Sequence, residues 1–118
     1  DDGGLWISTQ PPTNDVVFAL QSGPYMTPTT IIRIQNDELT RRMLVARSGD
    51  QWYFLAITDQ DNTFNGPLLS DVPKILGKVP IVIDEALNLD GGSASAFYSA
   101  HGARLGELTP IGSFFCGK

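Results

Sequence analysis

Ala86-Leu87-Asn88-Leu89-Asp90-Gly91-Gly92-Ser93-Ala94-Ser95 runs from a short apolar strand into a double glycine and two serines. Side chains two apart on a strand share a face, so Asn88 and Asp90 are delivered together to the strand's C-terminal end. Glycine lets the backbone turn sharply and approach a ligand closely. Amide N–H groups exposed in such a turn can cradle an anion, and an Asp carboxylate beside it can act as base, nucleophile or metal ligand. The same letters also describe a tight turn in which Asp90 caps its own backbone. Residue chemistry leaves both readings open.

Working outward, Leu68 to Leu76 carries apolar residues at 68, 69, 72, 75 and 76, a helical spacing. Pro73 within it predicts a short or kinked helix. Upstream, Met43–Ala46 and Trp52–Thr58 read as a hairpin across Ser48-Gly49-Asp50, and Asp59–Gly66 as a polar loop. Further strands are expected at Leu5–Thr9, Val16–Leu20, Thr29–Ile34 and Ile111–Cys116. Ile81–Ile83 fits strand or helical turn, and so does Ser95–Ser99. Strands with one helical stretch among them predict an α+β fold, with a mixed, mostly antiparallel sheet and a short helix packed on it.

The chain has 118 residues, which is one domain or part of one. With 42% hydrophobic and 18% charged residues it has the composition of a folded protein rather than a disordered one. No apolar run approaches the ~20 residues of a membrane helix. Thirteen acidic residues against eight basic ones give a net charge of -5, and no basic cluster exists beyond Arg41-Arg42. Duplex nucleic acid is therefore not an expected partner. Two arginines suffice to hold one phosphate or carboxylate. The single cysteine, Cys116, excludes an internal disulfide and a Cys-x-x-Cys site.

Phosphate-loop, dinucleotide, zinc-protease and serine-hydrolase signatures are all missing, and His101 is the lone histidine. Asp59-Gln60-Asp61-Asn62-Thr63 starts like a calcium loop. It then places Phe64 where the sharp turn needs Gly and Ser70 where the last ligand is Glu. A plain acidic turn or a looser cation site remains.

Asn88-Leu89-Asp90-Gly91-Gly92, followed by small and hydroxyl residues, resembles the signature of the phosphodiester glycosidase family. Gln21-Ser22-Gly23-Pro24-Tyr25-Met26 is similar to a second stretch of that family. Arg42, opening the hairpin, resembles an Arg that precedes a small-apolar strand there, although Ala46 stands where the family usually has Gly. The resemblance spans roughly residues 15 to 118.

The resemblance implies cleavage of a sugar from a phosphodiester at the anomeric carbon, without a cofactor or metal. On it, Asp90 and Arg42 are the catalytic residues, with Asp90 facing the sugar carbon and Arg42 the phosphate. Gln21, Ser22, Gly23, Asn88, Gly91, Gly92, Ser93 and Ser95 bind substrate, the two glycines through their N–H groups. Asp59 is a candidate second carboxylate. The alternative is a carbohydrate- or polymer-binding or structural module with a degenerate site. Family domains are longer, so residues 1–118 are expected to form the C-terminal portion of one domain. An apolar face over Trp6, Phe18 and Val16–Leu20 should then be exposed, covered by an N-terminal fragment or another copy of the chain. A secreted, periplasmic or lumenal location is implied as well.

Overall fold

The computed structural model describes residues 4–12, 18–89 and 91–109. Its centre is a four-stranded antiparallel sheet in the order β1-β4-β2-β3, with β1 at Tyr25–Met26, β2 at Arg42–Ser48, β3 at Gln51–Ile57 and β4 at Glu85–Asn88. The fold is α+β, as the element pattern predicts. β2 and β3 pair from Arg42↔Ile57 to Ser48↔Gln51, leaving Gly49-Asp50 as a two-residue loop. Gly49 has φ +58°, the left-handed backbone that short hairpin loops require and that glycine adopts without a steric penalty. β4 lies inside the sheet. It pairs Leu87 with Tyr25 of β1 on one side and with Val45 of β2 on the other.

One face of this sheet carries the core. Leu44, Ala46, Ala86 and Met26 pack against Leu69, Val72, Leu76 and Ile83, all buried. Leu69, Val72 and Leu76 are three and four residues apart, so a 3-10 turn at Leu69–Asp71 continuing into helix α1 at Val72–Leu76 turns all three the same way. Pro73 falls in the first turn of α1, where its missing N–H removes no helical hydrogen bond. The helix is short, as expected, and needs no kink.

A second unit follows β4. A 3-10 turn at Gly92–Ala94 leads to the two-stranded ladder of β5 (Phe97–Tyr98) and β6 (Arg104–Leu105). Ser95–Ser99 thus contains a strand, and β6 escaped the sequence reading.

Two expected strands are not formed, and the described end of a third is irregular. Thr29–Ile34 is irregular because Thr27 and Thr30 close a turn on themselves: the Thr27 N–H donates to Thr30 Oγ1 (2.8 Å) and the Thr30 N–H to the Thr27 carbonyl (3.0 Å). Hydroxyls that bond local backbone compete with a ladder. Leu5–Thr9 and residues 18–20 are likewise irregular, because β propensity reflects packing beside a partner strand and none pairs with them. The remainder of the Val16–Leu20 expectation, and all of Ile111–Cys116, lie outside the described residues. Ile81–Ile83 is neither strand nor helix; it buries Ile83 in the core and leaves Val82 exposed. Trp6 and Phe18 are exposed, at 60% and 69%, and so is Leu20. Among the described residues no helix is long and apolar enough to cross a membrane.

Candidate active site

The antiparallel pairing of β4 decides what meets at its C-terminal end. β1 brings the loop that precedes it, and the Asn88 N–H donates to the Pro24 carbonyl (3.0 Å). β2 brings its own beginning, and the Leu89 N–H donates to the Met43 carbonyl (2.8 Å). Ser22-Gly23 and Thr40-Arg42, distant in sequence from position 88, are therefore forced to the same sheet end. Between them opens a cavity of about 620 Å³. Ser22 and Gly23 line it from the β1 side, and Asn88, Leu89, Gly91, Gly92 and Ser93 from the end of β4 and the turn after it. Glu38, Thr40 and Arg42 form the opposite side. The lining is polar apart from Leu89.

Each wall is fixed by its own hydrogen bonds. Ser22 Oγ donates to the Asn88 carbonyl (2.7 Å), while Asn88 Nδ2 donates to the carbonyls of Gly23 (3.1 Å) and Leu89 (2.9 Å). Asn88 is thus a tie between the two segments, and its Oδ1 is buried without a partner. On the opposite wall, Arg42 Nε donates to the Pro67 carbonyl (3.2 Å) and Nη2 to the Glu38 carbonyl (2.6 Å), with Asp37 Oδ1 at 3.4 Å. Asp37 in turn accepts the N–H groups of Leu69 and Ser70, both at 2.9 Å. Burial opposes ionisation of Asp37, yet those two N–H bonds and the Arg42 charge outweigh it and hold the carboxyl below its ordinary value. Asp37, Arg42 and the first turn of the helical segment are one clamp.

The glycines earn their places differently. A Cβ on Gly91 would come within 2.7 Å of the Arg41 carbonyl oxygen, so only glycine fits against that strand. Gly92 has φ +66°, and its N–H donates to the Arg41 carbonyl (3.3 Å). This corrects the expectation that Gly92 offers its N–H to an anion: the group binds the turn to Arg41, just before β2.

The expected site residues therefore separate. Ser22, Gly23, Arg42, Asn88, Gly91, Gly92 and Ser93 line one cavity. Gln21 is exposed and is not among the lining residues. Ser95 is buried behind the turn, accepting from Arg41 Nε (2.8 Å) and donating to the Gly92 carbonyl (2.8 Å). Its contacts are to the protein, and it does not line the cavity. Asp90 lies outside the described residues; its neighbours Leu89 and Gly91 both line the cavity. Arg41 and Arg42 do not form a joint anion clamp, because successive residues entering a strand face opposite ways and Arg41 is fully buried behind the turn. Asp59 lies in a separate turn, where its N–H donates to the Asn65 carbonyl (2.9 Å) and Asn62 Oδ1 accepts from the Phe64 N–H (3.0 Å).

Sequence reasoning missed Glu38 and Thr40 as lining residues. Both lie in irregular chain just before β2, where no periodicity marks a functional face.

Fold and cavity together define an α+β protein whose polar cleft, with an arginine and a carboxylate on one wall, opens at the end of a central strand beside a double-glycine turn. The chain belongs to the phosphodiester glycosidase family, whose model matches residues 1–113. No curated protein and no solved structure matches it significantly.

Proposed function

We propose that the protein hydrolyses a sugar-phosphodiester at the anomeric carbon, releasing the sugar and a phosphate monoester. The observation that supports this most directly is one polar cavity shared by Arg42, Glu38 and both neighbours of Asp90. A phosphate monoester is already a stable anion, so its departure needs little proton donation; the reaction instead needs cationic stabilisation of the phosphate and a carboxylate near the oxocarbenium-like carbon. In this reading Asp90 supplies that carboxylate. Arg42 turns its Nη1 to the phosphate, since Nε and Nη2 are held by the protein. Glu38 accepts a proton from the attacking water as its oxygen bonds to the anomeric carbon and the carbon–oxygen bond to phosphate breaks. Ser22 and Ser93 contact sugar hydroxyls, while Asn88, whose Nδ2 is held by the Gly23 and Leu89 carbonyls and whose Oδ1 is buried, ties the two lining segments together.

Release of sugar and phosphate monoester from an alkyl glycosyl phosphate tests the proposal. Equimolar release is expected, with Asp90→Asn and Glu38→Gln each lowering kcat by about 10²–10⁴-fold, the usual scale for a positioned acid–base group. Binding without turnover by the unaltered protein, or an Asp90→Asn variant of undiminished kcat, would overturn it.

A further inference from the structure

Arg41 is 0% exposed, and among the described residues no carboxylate forms an ion pair with it. Burying a guanidinium is costly unless its donors are met; backbone meets most of those on Nε and Nη2, while Nη1 is buried without a partner among the described residues. Nε donates to the Gly92 carbonyl (3.0 Å) and to Ser95 Oγ (2.8 Å), and Nη2 donates to the carbonyls of Ser95 and Gly106. The Phe64 ring lies 4.5 Å from the guanidinium carbon and covers the cation. Burial lowers the Arg41 pKa, while the charge of Glu107 and the hydroxyl of Tyr98 oppose that shift. The arginine remains charged, as arginine does at any ordinary pH.

These side-chain hydrogen bonds converge on one unit. Gly92 and Ser95 bound the turn that closes the cavity, and Gly106 lies just past β6. Within that unit Leu108 and Thr109 donate their N–H groups to the Ser93 carbonyl (2.8 and 3.1 Å), and β5 pairs with β6. The main chain of Arg41 adds to the hold, since its carbonyl accepts the Gly92 N–H and leaves no room for a side chain at position 91. Arg42, the next residue, faces the cavity. The two arginines thus join the two walls: one lines the cavity while the other fixes the turn across from it.

We infer that Arg41 is a positioning residue for the reaction: it holds the 91–95 turn, and with it the cavity lining at Gly91, Gly92 and Ser93, in register with Arg42 and Glu38. This rests on the function proposed above. The demand is for a planar fork, because three carbonyl dipoles and a hydroxyl approach from different directions; a lysine ammonium is a compact point charge and does not reproduce that geometry.

Arg41→Lys, compared with the unaltered protein, separates positioning from a merely structural role. With an alkyl glycosyl phosphate, kcat per folded molecule is expected to fall about 10–100-fold with KM changed less than about threefold, because a misplaced catalytic wall affects the reacting geometry more than overall binding. By hydrogen exchange, the amides of Gly92, Leu108 and Thr109 are expected to exchange at least about tenfold faster while those of β2–β4 keep their rates. If Arg41→Lys does not fold, Ser95→Ala keeps the cation and removes one acceptor; the same shifts, smaller, are expected. Exchange at 91–109 equal to the unaltered protein, or an unchanged kcat despite faster exchange, would overturn the inference. An unaltered protein without turnover would overturn the proposed function instead. The exchange result would then decide alone whether Arg41 holds the turn.

Discussion

The segment from Tyr25 to Asn88 and the segment from Gly91 to Thr109 are held by different forces. In the first, every buried core hydrophobic, from Met26 to Ala86, contributes to one apolar cluster or to the strands beside it. In the second, no hydrophobic residue among those described is buried; Ser95 is its buried residue, and it faces a cation. Burial of apolar area is cooperative and non-directional, whereas a guanidinium meeting several carbonyls fixes orientation. The sheet supplies the stability and the buried arginine supplies the position of the turn. The cavity lies on the seam between them, so its geometry depends on both.

The largest expected effect comes from the sheet. Leu44 is buried in β2, opposite Leu55 of β3 and Asn88 of β4. Leu44→Ala should destabilise the whole protein by about 2–5 kcal/mol. Urea unfolding should show this as a lower midpoint with an unchanged slope, and fluorescence and far-UV dichroism should report one coincident transition. A loss below about 1 kcal/mol would break the comparison, because the sheet core would then not be what limits stability.

Asp37 comes next, since it joins the helical segment to the cavity wall. Asp37→Asn gives up the charge that two N–H groups and Arg42 share, at an expected cost of about 1.5–3 kcal/mol. The pH dependence follows from the lowered carboxyl. A group whose folded pKa lies below its unfolded value, here about 3.9, contributes fully above that unfolded value and loses its contribution as pH falls through the folded one. The stability difference between the unaltered protein and Asp37→Asn should therefore be flat from pH 7 to about 5 and shrink below about 4. A difference that instead grows as pH falls would show that the clamp is not ionic.

Much of this architecture is legible in the residues. The β2–β3 hairpin is announced by its glycine turn, and the helical segment by apolar spacing that also brings Leu69, Val72 and Leu76 to one face. The Asp-Gly-Gly run announces the strand-end turn. Thr29–Ile34 misleads because β-branched residues carry strand propensity whether or not a partner strand lies alongside, and here threonine hydroxyls satisfy the local backbone first. Alternation along a strand is enough to send Arg41 and Arg42 opposite ways. What Arg41 meets cannot be read that way: its acceptors are mostly carbonyls 51 to 65 residues further on, and carbonyls are common to every residue type. Glu38 is hidden for the opposite reason, being an exposed acid in irregular chain, which is what most acids are.

The smallest expected effect concerns the wall formed by Ser22. Its hydroxyl donates to the Asn88 carbonyl in an exposed setting, and water can replace much of that bond. Ser22→Ala should therefore cost only about 0.5–1 kcal/mol, at the low end for a hydrogen bond. Asn88 still ties the Gly23 carbonyl and β4 together, so hydrogen exchange at Gly92, Leu108 and Thr109 should not change. That result would sharpen the comparison, because it makes the 91–109 unit insensitive to the wall that Ser22 forms. Faster exchange there in Ser22→Ala would mean that the Ser22–Asn88 tie, and not the buried arginine alone, also carries the turn.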